Sequence, residues 1–124
     1  MNNNYMLPQV FISNYHKKLD KVIKIIVPST INVNEPINTD SQVNDCLTFL
    51  TNVFGGATAE KAMGAWKSLS GEIVKEDVTI CYSFTDRETQ ERNFISVLMY
   101  CDKLKKELNQ ESVSLIADNE LHFI

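Results

Sequence analysis

From Val74 to Phe84 the chain alternates without a break. Val74, Glu76, Val78, Ile80, Tyr82 and Phe84 fall on one side of a two-residue period; Lys75, Asp77, Thr79, Cys81 and Ser83 fall on the other. Only an extended strand keeps residues i and i+2 on one face, and the β-branched and aromatic content suits a pleated surface. Residues 58–67 alternate less strictly. The turn between the runs, Ser68 to Gly71, puts Gly71 where a positive φ is wanted. The two runs therefore read as a β-hairpin.

The rest of the chain is ordered around that hairpin. Val22, Ile23, Ile25, Ile26 and Val27 form a nearly continuous β-branched strand that Pro28 ends. Residues 31–40, rich in Asn and Pro, read as a loop. Asp40 offers an N-cap, and Val43, Cys46, Leu47, Leu50 and Val53 recur at helical spacing. Gly55 and Gly56 fit the stop of that helix. Thr85 and Glu88 match a capping box. A second helix follows to about residue 109, with Phe94, Val97, Leu98, Cys101, Leu104 and Leu108 on its buried side. Residues 112–124 close as a strand, or as strand–turn–strand with Asp118 and Asn119 at the bend. The order is β-α-β-β-α-β, which predicts an α+β, ferredoxin-like antiparallel sheet with two helices on one face. Residues 1–20 form an N-terminal extension, and residues 21–124 form a single domain.

Several classes of function are excluded. With 124 residues, 44% of them hydrophobic, the chain forms one globular domain that needs no staple. The net charge of −4 argues against direct nucleic-acid binding by phosphate neutralisation. No apolar run is long enough for a membrane span, and no basic leader precedes one, so no signal peptide is expected. Three widely spaced cysteines suit reduced thiols in a cytoplasmic protein. The two histidines, His16 and His122, and the absence of a close Cys pair leave no metal site. No nucleophile elbow or phosphate-binding loop occurs, and no cofactor is expected.

A few residues stand out as candidate binding positions. Gly64 inside a strand marks a bulge or a close approach by another backbone, and the single tryptophan, Trp66, shares its face. Glu76 interrupts an apolar stripe that also carries Tyr82 and Phe84. Arg87, Arg92 and Asn93 lie in the first turns of the second helix, where guanidinium groups and exposed amides favour an anion. Intrahelical or intersubunit pairing with Glu88 and Glu91 is the simpler explanation of the two arginines.

The run GAWKSLSGEIVKED, followed by LKKELNQESVSLI, resembles a family of small domains of unknown function. Gly64 and Trp66 match its G-x-W element, Gly71, Val74 and Glu76 its turn and V-x-E strand, and Gln110 to Val113 its Q-E-S-V element. The resemblance covers roughly residues 46–118. It implies a ferredoxin-like domain with no established activity, and short leaderless versions resemble accessory proteins of phages and mobile elements. These features together predict a non-enzymatic binding protein. It would be a homodimer or higher homo-oligomer, acting as an anti-defence accessory that grips a host protein or sequesters a small anionic ligand. The alternative is a small cofactor-free enzyme on a dimeric ferredoxin-like scaffold, with Glu76, Tyr82 and His122 in its cleft.

Overall fold

The computed structural model describes residues 18–124. Most of the expected N-terminal extension, residues 1–17, lies outside the described residues. The elements in chain order are β1 (Lys21–Pro28), a small hairpin of β2 (Thr30–Ile31) and β3 (Glu35–Pro36), and α1 (Asp40–Phe54). They continue with β4 (Thr58–Lys67), β5 (Ile73–Thr85), α2 (Arg87–Glu107), β6 (Ser114–Ala117) and β7 (Glu120–Phe123). The main sheet has five strands in the order β4-β5-β1-β6-β7, all neighbours antiparallel. This is the expected ferredoxin-like α+β arrangement, extended at one edge by β7.

Alternation decides which side of the sheet is covered. Ile23, Ile25 and Val27 of β1, Cys81 of β5 and Leu115 of β6 are buried with Cys46 and Leu50 of α1 and Val97, Cys101 and Leu104 of α2. Each such aliphatic side chain contributes about 1.5–3 kcal/mol by leaving water. The three cysteines are free and fully buried. Burial pushes the Cys101 thiol up to about 12, and a hydrogen bond to Cys81 together with burial raises that of Cys46. The same hydrogen bond lowers that of Cys81, and full burial makes all three thiols packing groups. The opposite face is open, and on it Trp66, Phe84, Leu121 and Phe123 are more than half exposed.

Helix ends follow local chemistry, with two shifts from expectation. Gly55 adopts φ 94° and closes α1 as a left-handed cap. Its N-cap is Thr39 instead of Asp40, because the Thr39 hydroxyl donates to Pro28 O at 2.8 Å while Asn38 Oδ1 accepts from Asp40 N–H. The N-cap of α2 is Asp86, whose carboxylate accepts from Thr89 N–H at 2.8 Å. Thr85 cannot cap, since it is the buried last residue of β5, paired with Lys21. The final segment is strand–turn–strand, with Asp118 at φ 57° in the bend. No helix among the described residues is long and apolar enough to cross a membrane.

Candidate functional site

The segment after β1, expected to be a plain loop, is the small β2–β3 hairpin. It is anchored from three sides. Ser29 Oγ donates to Asp77 O on β5 at 2.6 Å. Asn32 N–H donates to Leu108 O at 2.9 Å, and Asn109 Nδ2 donates to Asn32 Oδ1 at 2.9 Å. Gln110 Nε2 donates to Thr30 O at 3.0 Å. The tip turns through Asn32 at φ 53° and Val33 at φ 74°. Asparagine tolerates the left-handed region, but a β-branched residue there is strained by about 1–3 kcal/mol. Replacing Val33 with glycine is therefore expected to raise stability by about 1 kcal/mol, the strain relieved less the glycine entropy cost. A urea melt followed by circular dichroism reads this, and a destabilised variant would show that the tip is unstrained.

The anchored hairpin stands against the open face of β4 and β5 and encloses a cleft of about 420 Å³. Thr30, Val33, Asn34 and Pro36 form one wall, and Trp66, Val74 and Glu76 form the floor and the other wall. That volume suits a small-molecule ligand. In the sheet register Trp66 pairs with Val74 and Gly64 with Glu76. Trp66 and Glu76 are thus diagonal neighbours on one face, a separation of about 7–8 Å. The expected bulge at Gly64 does not form, because pairing runs unbroken from Thr58 to Lys67. What Gly64 does is leave the position opposite Glu76 bare. Glu76 Oε1 accepts a hydrogen bond from Thr30 Oγ1 at 3.1 Å. The hairpin wall and this bond escaped sequence reading, since nothing in an Asn- and Pro-rich stretch signals a two-residue strand.

Other predicted residues lie elsewhere. Tyr82 and Phe84 form an edge-to-face pair at 5.9 Å on the same open face. They line a second cleft of about 490 Å³ with Leu19, Gly55, Gly56 and Thr58. Arg87 and Arg92 lie beyond the far end of β5, roughly 30 Å along the strand from Glu76. Arg87 Nε pairs with Glu91 at 3.1 Å, and Arg92 Nη1 with Glu88 at 3.4 Å. Asn93 Nδ2 donates to Thr89 O at 2.9 Å. Glu76, Tyr82 and His122 do not share a cleft. His122 pairs with buried Leu115 and packs its ring edge-on against Phe94 at 6.0 Å, on the helix-covered side. Among the described residues no group of three or more His, Cys, Asp or Glu side chains could hold a metal ion.

No protein-family model matches the chain, and no curated protein does. Solved structures do. A phage SAM lyase in complex with S-methyl-5'-thioadenosine is similar with a TM-score of 0.65 at 16% identity, covering 89% of this chain and 95% of that one. A phage SAM lyase in the apo state is similar with a TM-score of 0.63 at 16% identity, covering 86% of this chain and 89% of that one. Both agree with the ferredoxin-like α+β fold. They also correct the expectation of a non-enzymatic binding protein that grips a host protein or sequesters an anion. The neighbours are enzymes, and the ligand held by the first is an uncharged thioether nucleoside. The comparison favours the alternative, a small enzyme on this scaffold.

Proposed function

We propose that this chain is a lyase acting on S-adenosylmethionine, with the cleft between Trp66 and Glu76 as its substrate site. The observation that carries the reading is the likeness to phage SAM lyase over 89% of the chain. The cleft supports it chemically. The face of Trp66 offers a stacking surface for a purine, an interaction of about 1–3 kcal/mol per base. Glu76, a diagonal neighbour of Trp66 on the same face, offers a carboxylate in the same cleft. The bare position at Gly64 leaves room for the sugar between them.

The product sets the bond. S-methyl-5'-thioadenosine retains the methyl and adenosyl groups of the sulfonium, so the bond that breaks joins sulfur to the four-carbon amino-acid arm. The electron pair goes to sulfur, and the cation becomes a neutral thioether. Attack by the arm's own carboxylate on that carbon, closing a lactone, completes the balance without water, a base or a redox partner. An enzyme of this kind would drain a methyl donor from the cell, in keeping with an anti-defence role.

The test is direct. Incubation of the purified protein with S-adenosylmethionine is expected to yield S-methyl-5'-thioadenosine by liquid chromatography–mass spectrometry, in step with substrate loss. Formation no faster than with heat-inactivated protein would overturn the proposal.

A further inference from the structure

Two sequence elements, V-x-E through Glu76 and Q-E-S-V through Gln110, meet at one buried hydroxyl beside this cleft. Thr30 is 8% exposed. Its Oγ1 donates to Glu76 Oε1 at 3.1 Å and accepts from Gln110 Nε2 at 3.3 Å. The directions of these hydrogen bonds are fixed at both ends. Gln110 Nε2 also donates to two backbone carbonyls, Thr30 O at 3.0 Å and Leu108 O at 3.3 Å, and a carbonyl only accepts. The amide nitrogen must therefore face Thr30. The Glu76 carboxylate accepts, so the Thr30 hydroxyl points its hydrogen there, while the two hydrogens of the Gln110 amide are shared among Thr30 O, Leu108 O and Thr30 Oγ1. One carboxylate oxygen is thereby tied to the protein, and Oε2 has no hydrogen bond among the described residues.

We infer that Thr30 and Gln110 are positioning residues that hold the Glu76 carboxylate toward the cleft, where it makes the site selective for a positively charged sulfonium over a neutral thioether. This inference rests on the lyase reading above. The selectivity follows from charge: the cleft is lined by Glu76, Asp77 and Lys75, so its carboxylates outnumber its single ammonium. S-adenosylmethionine carries one positive charge more than its thioether analogue, S-adenosylhomocysteine, and the two otherwise differ by a methyl group. A carboxylate fixed beside the sulfur attracts the first and gains little from the second. The same asymmetry favours product release, because breaking the carbon–sulfur bond removes the charge and with it the attraction that held the substrate. Pre-orientation matters because an untethered glutamate would lose side-chain entropy on engaging the ligand.

Trp66, the only tryptophan, is a fluorescence reporter built into the cleft wall. Titration of the wild-type protein with S-adenosylmethionine and with S-adenosylhomocysteine is expected to give at least about 10-fold tighter binding of the sulfonium, the scale of about 1.4 kcal/mol. Glu76→Gln should bring that ratio close to one. Thr30→Val, nearly isosteric and leaving both backbone bonds of Gln110 in place, should lower the ratio at least threefold, and Thr30→Ser should restore it. A purely structural role for Thr30 would weaken both ligands together and leave the ratio untouched. Retention of the wild-type ratio by Thr30→Val, in a protein that produces S-methyl-5'-thioadenosine, would overturn the positioning inference and spare the lyase reading. Absence of both product and quenching in the wild type would overturn the two together.

Discussion

Replacing Leu50 with alanine is expected to destabilise the fold by about 3–4 kcal/mol, within the range measured for fully buried leucines. Leu50 is completely inaccessible to solvent and lies on the face of α1 that shares the core with β1 and β5. Alanine is the better helix former, so the helix itself is not weakened. The loss comes from packing: methyl groups return to water on unfolding no longer, and a cavity remains that close-packed neighbours fill only in part. Against a typical total of about 5–15 kcal/mol for a domain of this size, this is a large fraction. Urea denaturation followed by far-ultraviolet circular dichroism measures it. Trp66 fluorescence is a poor probe here, because that side chain is 54% exposed in the native state. A loss below about 1 kcal/mol would mean that α1 is not seated on the sheet as described.

Trp66→Ala should behave in the opposite way. Removing a half-exposed side chain from β4 is expected to shift stability by no more than about 0.5 kcal/mol. If the ring stacks on the purine, the same change weakens ligand binding about 10- to 100-fold, the equivalent of losing one base–aromatic contact. The loss should fall equally on S-adenosylmethionine and S-methyl-5'-thioadenosine, because both carry the adenine. That separates Trp66 from Glu76, whose removal affects only the charged ligand. Isothermal titration calorimetry with both compounds checks it, since the variant has no tryptophan to report. Tyr82→Ala serves as the control at the second cleft. Unchanged binding in Trp66→Ala alongside impaired binding in Tyr82→Ala would move the site to the Gly55–Gly56 end of the sheet.

The functional expectation failed for a chemical reason. A search for nucleophiles, paired acids and metal ligands suits substrates that must be activated. A sulfonium carries its own leaving group, so a cleft that orients it needs none of those residues. Lone features such as Trp66 then look like interaction-surface residues, and Glu76 suits either a binding surface or an enzyme cleft. Arg87 and Arg92 drew attention for a sound reason, but α2 supplies their partners at i+4 and i−4.

The architecture was legible because its causes are local. Strict alternation from Val74 to Phe84 sets which β5 residues face the helices, and the three- and four-residue spacing in α1 and α2 sets which helix residues answer them. Glycine at Gly55 and Gly71 marks positive φ without reference to any distant residue. The cleft has no such local cause. Its carboxylate is oriented by a hydroxyl 46 positions away, which is held in turn by an amide 80 positions farther along from that hydroxyl. A hydrogen bond between side chains leaves no period in the sequence. It exists only once the β2–β3 hairpin, β5 and the segment after α2 have packed and brought Glu76 and Gln110 each within hydrogen-bonding distance of Thr30.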